Sequence, residues 1–189
     1  MRRRLFKSLA TAAAIAVLAC FGNPARTVAA AELELVLGSG STSGRLFAAG
    51  SAISMASVIE GKGIKVYNYG TKGGKDNIAR ISKKKRAINF AMVTAKDLAE
   101  AAEDQRKAFS GLMVLGKTKS ETVLLIVRNR PPSKVSKDEY GEAVAEFVRV
   151  LMTDKSAKLV KKQWSGFAPS SGASDFKAAG VKLHKAAIM

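Results

Sequence analysis

Leu33-Glu34-Leu35-Val36-Leu37 runs without a break into Gly38-Ser39-Gly40-Ser41-Thr42-Ser43-Gly44. The apolar stretch reads as a short strand, and the seven small residues after it mark a turn. From Arg45 the apolar period changes: Leu46, Phe47, Gly50, Ile53, Ser57 and Val58 fall near one helical face, until Gly61 and Gly63 stop it. Strand, small-residue loop and helix together form one unit of an open α/β sheet. The unit recurs. Ile64–Tyr69 is a second strand, Gly70-Thr71-Lys72-Gly73-Gly74 a second loop, and residues 76–82 a second helix. Residues 87–93 read as a third strand, with a helix expected from 95 to 109. Three such units in series predict a mainly parallel sheet flanked by helices.

The pattern then changes. Residues 112–115 and 122–128 read as strands with only a short link between them, and Pro131-Pro132 breaks the chain. Val144, Phe147, Val148, Leu151 and Met152 form an apolar helical stripe suited to packing on a sheet. Thr153 or Asp154 is expected to cap a further helix through Trp164, followed by a loop over 166–174 and a last helical turn over 175–179.

Outward from this block, the first 31 residues have a different character. Arg2, Arg3, Arg4 and Lys7 precede an uncharged, Ala-rich apolar run, and Val28-Ala29-Ala30-Ala31 ends the segment. This order reads as a secretory signal peptide cut after Ala30 or Ala31. Val17-Leu18-Ala19-Cys20 offers lipoprotein anchoring at Cys20 as the alternative. The apolar run is shorter than the ~20 residues of a membrane span. The expectation is a periplasmic protein, with 1–31 as signal and 32–189 as one domain. Arg2, Arg3, Arg4, Lys7 and Arg26 account for five of the +17 net charge, leaving +12 on the domain. Such a surface favours anionic partners. Nucleic acid is not expected among them, since no reader motif is present.

Chemistry-bearing motifs are few. Gly111-Leu112-Met113-Val114-Leu115-Gly116-Lys117-Thr118 has the spacing of a phosphate-binding P-loop. A P-loop needs a strand before it and a helix after it, whereas here the variable positions are themselves a strand and another strand follows. The first loop resembles a dinucleotide turn, but Tyr67-Asn68-Tyr69-Gly70 supplies no acid for a ribose hydroxyl. His184 is the sole histidine, and no nucleophile has an evident base. The reading is therefore not an enzyme, with neither cofactor nor metal. What the two loops do offer is hydroxyls and backbone N–H groups at helix N-termini, a setting for a small anion.

At these residues the chain resembles the type II periplasmic solute-binding proteins, most of all the TRAP-associated extracytoplasmic immunogenic (TAXI) receptors. Leu37 to Gly44 is similar to their first glycine/threonine/serine loop, and Thr71-Lys72-Gly73-Gly74 with Asn77 to their second. Residues 120–128 are similar to the strand by which that family crosses between lobes. Phe147 to Leu151, Lys158 to Val160 and Gly166 to Pro169 resemble the closing helices of phosphate-type binding proteins.

The resemblance implies a single type II lobe that binds a small anionic solute such as a carboxylate and serves a membrane transporter subunit. The ligand-binding residues it implies are Ser39, Ser41, Thr42, Ser43, Thr71, Gly73, Gly74, Asn77 and Thr94, with charge from Lys72 or Lys75. Only about fifteen residues separate Arg128 from Val144, so the second lobe is missing. A lone lobe has no closing cleft, which implies weak binding or a homodimer that completes the site. Two alternatives stand beside this reading. One is a phosphate-type substrate-binding protein. The other is an interaction protein of the envelope that docks a partner through its basic surface, including Lys83 to Arg86.

Overall fold

The computed structural model describes residues 32–83 and 88–187. Residues 1–31, read above as an export signal and including Cys20, lie outside the described residues, as do Lys84, Lys85 and Arg86. β1 (Leu33–Gly38), α1 (Arg45–Glu60), β2 (Ile64–Tyr69), α2 (Gly74–Ile81), β3 (Phe90–Thr94) and α3 (Ala95–Ala99) form the repeating half. α4 (Glu103–Arg106), β4 (Phe109–Lys117), β5 (Thr122–Arg128), α5 (Lys137–Leu151), α6 (Asp154–Lys161), β6 (Phe167–Ser170) and α7 (Ala173–Ala178) follow.

The strands join one sheet in the order β2-β1-β3-β5-β4-β6. β1 pairs in parallel with β2 and with β3, while the other three pairings are antiparallel. The sheet is mixed, and the expected parallel arrangement holds for its β2-β1-β3 half. The link between β4 and β5 explains the change. A parallel return needs a crossover of about a dozen residues or more. Here Thr118 to Glu121 make a tight turn in which the Thr118 N–H donates to the Glu121 carbonyl at 2.8 Å.

Two further expectations are corrected. The helix expected over 95–109 is two short helices, because Ala102 is extended (φ −66°, ψ 151°) and Phe109 is drawn into the sheet opposite Arg128. The loop expected over 166–174 contains β6, which pairs with β4 at Val114–Ser170 and Gly116–Phe167. Pro169 lacks a ladder donor and is tolerated because β6 is an edge strand.

Alternation along the strands divides the core into two layers. On β5, Val123, Leu125 and Val127 face one layer with α1, α5 and α6, where Ile53, Phe147 and Val160 are fully buried. Leu124 and Ile126 face the other, with Ile78, Ile81, Leu98 and Phe176 from α2, α3 and α7. Burial on both faces explains why β5 is continuously apolar. On β4 the register shifts between Gly111 and Met113, and Leu112 and Met113 both join the first layer.

The P-loop-like run lies along β4 and its turn, with no helix after it, so its glycines need another account. The Phe176 ring covers Gly111. Gly116 has φ +148°, and a Cβ there would come within 2.0 Å of the Gly166 carbonyl oxygen.

Within the parallel half, β3 joins β1 through a ladder of only two positions, Leu37–Phe90 and Gly38–Ala91. Asn89, just before β3 and buried, lengthens this junction. Its side-chain oxygen accepts from the Val36 N–H at 2.9 Å, and its own N–H donates to the Val36 carbonyl at 2.9 Å. Its carbonyl accepts from the Arg128 N–H at 2.9 Å, so one residue ties β1 to β5.

A second tie holds the helices of the first layer. Thr153 caps α6, accepting from the Ser156 N–H at 3.2 Å, and its hydroxyl donates to the carboxylate of Glu60 at the end of α1. That hydrogen bond, with Lys155 at 3.3 Å, holds the Glu60 carboxyl below its usual value.

Two outcomes follow from this packing. Gly116→Ala should cost at least about 2 kcal/mol in urea unfolding, through an unfavourable φ and a backbone clash. Lys117→Ala next to it, on an exposed side chain, should be nearly silent. A carboxyl depressed in the fold stabilises fully above its unfolded value of 4.5, and that contribution disappears as pH falls through the lower folded value. Glu60→Gln should therefore lower the melting temperature near neutral pH, with the gap to wild type narrowing toward about pH 3.

Candidate functional site

Strand order 2-1-3 places α1 on one face of the sheet and α2 on the other, so the chain changes direction between β1 and β3. In open α/β sheets that switch point leaves a crevice at the carboxyl ends of the strands, where ligands bind. The loops after β1, β2 and β3 all reach this end. The Thr71 N–H donates to the Gly40 carbonyl at 2.8 Å, joining the first two loops, and the Thr42 methyl lies against Gly70.

Asn77 occupies the crevice. It is fully buried, and its amide nitrogen donates to the carbonyls of Gly38 (3.2 Å), Ser39 (3.2 Å) and Met92 (2.7 Å). These carbonyls end β1 and β3. Asn77 is thus the clasp of the switch point, and its side-chain oxygen faces Gly38, where a Cβ would lie 2.7 Å away. Ser39 is equally committed. It is fully buried and donates to Asn68 at 2.6 Å, while the Asn68 amide donates to the Phe47 carbonyl and to Ser51, both at 3.0 Å.

The remaining expected residues separate into two groups. Thr71 is buried and its hydroxyl accepts from the Gly73 N–H at 3.3 Å. Thr94 caps α3, accepting from the Asp97 N–H at 3.1 Å and donating to the Asp97 carboxylate at 2.9 Å. Gly73 has φ +107°, a conformation that favours glycine, and precedes α2. Ser41, Thr42 and Ser43, by contrast, are exposed, with the Ser41 and Ser43 hydroxyls 3.2 Å apart.

The electrostatics of the two helix ends differ. Asp97 lies so close to Gly74 that a Cβ there would be 2.1 Å from its carboxylate oxygen. Asp76 stands in the first turn of α2 and accepts from the Lys72 N–H at 3.0 Å and from Arg80 at 2.8 Å. Burial raises the Asp76 carboxyl, but these donors outweigh it and hold the group below its usual value. The N-terminus of α2 therefore carries its own negative charge. Lys75 is drawn away by Glu100 at 2.7 Å, while Lys72 has no ion pair among the described residues. The N-terminus of α1 has neither a side-chain cap nor an acid in its first turn. Its unmet N–H groups and dipole lie beside Ser41, Thr42 and Ser43.

Sequence reasoning missed the two aspartates and Asn68. Asp97 carries a legible signal, since Thr94-x-x-Asp97 has the spacing of a helix-capping pair. Asp76 and Asn68 have no comparable sequence signature. Among the described residues no group of His, Cys, Asp and Glu is placed to hold a metal ion, and no helix is long and apolar enough to cross a membrane. No known protein family matches this chain, and no curated protein matches it.

If Asn77 is the clasp, Asn77→Asp removes donors from three carbonyls and buries a carboxylate, with a loss on the order of 3 kcal/mol at neutral pH. Burial raises the pKa of such a carboxyl, so the deficit should shrink as pH falls and the group protonates. Asn77→Leu should be destabilised at every pH. Urea unfolding at two pH values checks both.

Proposed function

We propose that this chain is a solute-binding protein that takes a small anion, a carboxylate or phosphate, at the loop between β1 and α1. The uncapped N-terminus of the 16-residue α1, free of first-turn acids and flanked by three exposed hydroxyls, carries the reading. N–H groups and a positive dipole end stabilise an anion there, and hydroxyls add directional donors. The second loop acts as a wall: Thr71 fixes the first loop by its backbone, and Lys72 brings a cation to the rim. Thr94, Asn77 and Ser39 position the loops and do not touch the ligand.

The fold proposed with this function is a lobe of the type II periplasmic-binding kind. The parallel order β2-β1-β3, followed by an antiparallel β5 where the resemblance has the strand that crosses between lobes, supports it. Export to the periplasm, delivery to a TRAP-type membrane subunit and pairing of two copies to cover the open site complete the proposal. A phosphate-type receptor is the same site with a different anion.

A thermal-shift screen of carboxylates and orthophosphate, followed by calorimetry, tests it. Thr42→Val keeps shape but removes a hydroxyl, and a hydrogen bond to a charged group contributes about 1.5–3 kcal/mol, so affinity should fall tenfold or more. Thr71→Val should affect stability more than affinity. Arg45→Glu is the sharpest probe: a carboxylate in the first turn of α1 favours the helix dipole yet repels an anion. Binding should be lost while the melting temperature holds or rises. Unchanged anion affinity in Arg45→Glu overturns the site.

A further inference from the structure

The opposite end of the sheet has a different chemistry. There the start of β3, the end of β5 and the start of β4 lie side by side, in the register Phe90–Val127 and Phe109–Arg128. Three adjoining clefts of about 330, 340 and 630 Å³ open along this edge. The first two share Arg128, Arg130 and Lys137, and the second and third share Lys107 and Asn129. Lys83 lines the middle cleft, and Arg106 and Lys182 continue the same sign along the third.

Among the described lining residues the one carboxylate is Glu103, and Lys107 pairs with it at 2.9 Å. Asp138 and Glu139 follow Lys137 in α5 but do not line the clefts. Several heads are fixed by the backbone. Arg106 donates to the Ala179 carbonyl at 2.7 Å and Arg128 to the Lys83 carbonyl at 2.8 Å. Asn129 is held between Ser110 (2.6 Å) and the Lys107 carbonyl (3.1 Å). Burial pulls the Arg128 guanidinium below its usual value; Tyr140 opposes this, and the charge of Arg130 adds to it. Like charges gathered in partly desolvated clefts repel one another, and a bound polyanion relieves that repulsion.

The shape and lining narrow the class of polyanion. Cations spread over three clefts in a row match repeated charges on a chain better than one small ion. Guanidinium forks suit phosphate oxygens. Proteins that bind single-stranded nucleic acid offer aromatic faces on which bases stack. Among the described lining residues Phe109 is the one aromatic, and it is 1% exposed. We infer that this edge binds a flexible phosphate chain without bases, of the inorganic polyphosphate kind, at a site distinct from the loop between β1 and α1.

The probe is inorganic polyphosphate titrated into the full chain by calorimetry at several salt concentrations. The double variant Arg130→Glu/Lys137→Glu should lower affinity at least about tenfold and flatten the salt dependence, because fewer counterions are released. Lys158→Glu/Lys162→Glu makes the same change in net charge on exposed lysines elsewhere, and should alter affinity less than about threefold. Arg130→Gln, the milder change, should give an intermediate loss at an unchanged melting temperature. Thr42→Val should bind polyphosphate like the wild type, which separates this site from the loop site. Equal losses in the two double variants would mean diffuse attraction and overturn the inference. So would failure to bind at low salt, or equally tight binding of oligothymidylate or polyglutamate.

Discussion

Everything at the loop end rests on the junction between β1 and β3, where two parallel ladder positions hold the β1–β2 pair to the rest of the sheet. So short a ladder leaves backbone groups at both ends that must be paired when buried, since an orphaned donor or acceptor costs about 1–3 kcal/mol. Two asparagines supply the partners. Asn89 extends the pairing below the ladder to Val36, and Asn77 gathers the carbonyls of Gly38, Ser39 and Met92 above it. An amide suits both places without bringing a charge into the core: the Asn89 oxygen meets an N–H, and the Asn77 nitrogen meets carbonyls. Asn77 comes from α2, so the helix that flanks the second loop also closes the crevice between the other two. The loops are therefore positioned by one side chain and cannot be rearranged singly.

This clasp decides which expected ligand residues remain available. Hydroxyls in a small-residue loop look alike in sequence, but the fold uses them differently. Ser39 and Thr71 are turned inward and spend their capacity on Asn68 and on Gly73. Thr94 is held by Asp97. Only the outer triplet, Ser41 to Ser43, is exposed to solvent. A helix whose N-cap is glycine forgoes the hydroxyl cap at a cost of about a few tenths of a kcal/mol. α1 forgoes it although Ser43 and Thr42 stand next to the Gly44 cap position. α3, α5 and α6 all take a hydroxyl cap, from Thr94, Ser136 and Thr153. α2 also starts on a glycine without a side-chain cap, but it carries Asp76 in its first turn, whereas α1 carries no acid there.

How much of this was legible beforehand follows from the range of the interactions involved. β2 and β5 match the segments read from apolar pattern, since Ile64–Tyr69 and Thr122–Arg128 are bounded by turn residues and depend little on their neighbours. β6 escaped because four residues including Pro169 make no pattern, and only the edge of β4 turns them into a strand. The break between α3 and α4 escaped for a related reason. Leu98 and Phe109 pack in the same layer, so their spacing mimics one helix although they belong to a helix and a strand. Direction of pairing is a further step removed. Nothing in Thr122 to Arg128 records that β3 will lie antiparallel beside it; the short turn at Thr118 to Glu121 fixes only the pairing of β5 with β4, and the β3 pairing is non-local. At the site, hydroxyl-rich loops were visible but their internal partners were not, because Asn68 and Asp76 act through tertiary contacts.

The charge of the domain gains meaning once it is divided by place. A net +12 suggests a uniformly basic surface, yet the two ends of the sheet are unlike. At the loop end Arg80 is answered by Asp76 and Lys75 by Glu100, which leaves Lys72 and Arg45 beside the hydroxyls and the helix dipole. At the other end Lys83, Arg130 and Lys137 converge where the lining offers no acid but Glu103. The sheet itself imposes this division. Its parallel strands send their carboxyl ends to one side, where helix N-termini need acids or anions for balance. Antiparallel β5 carries Arg128 and the double proline after it to the other side, away from the helix N-termini of the first three units. Of Lys83, Arg130 and Lys137, only Lys137 stands at a helix N-terminus, and Asp138 and Glu139 in the same first turn of α5 balance that end.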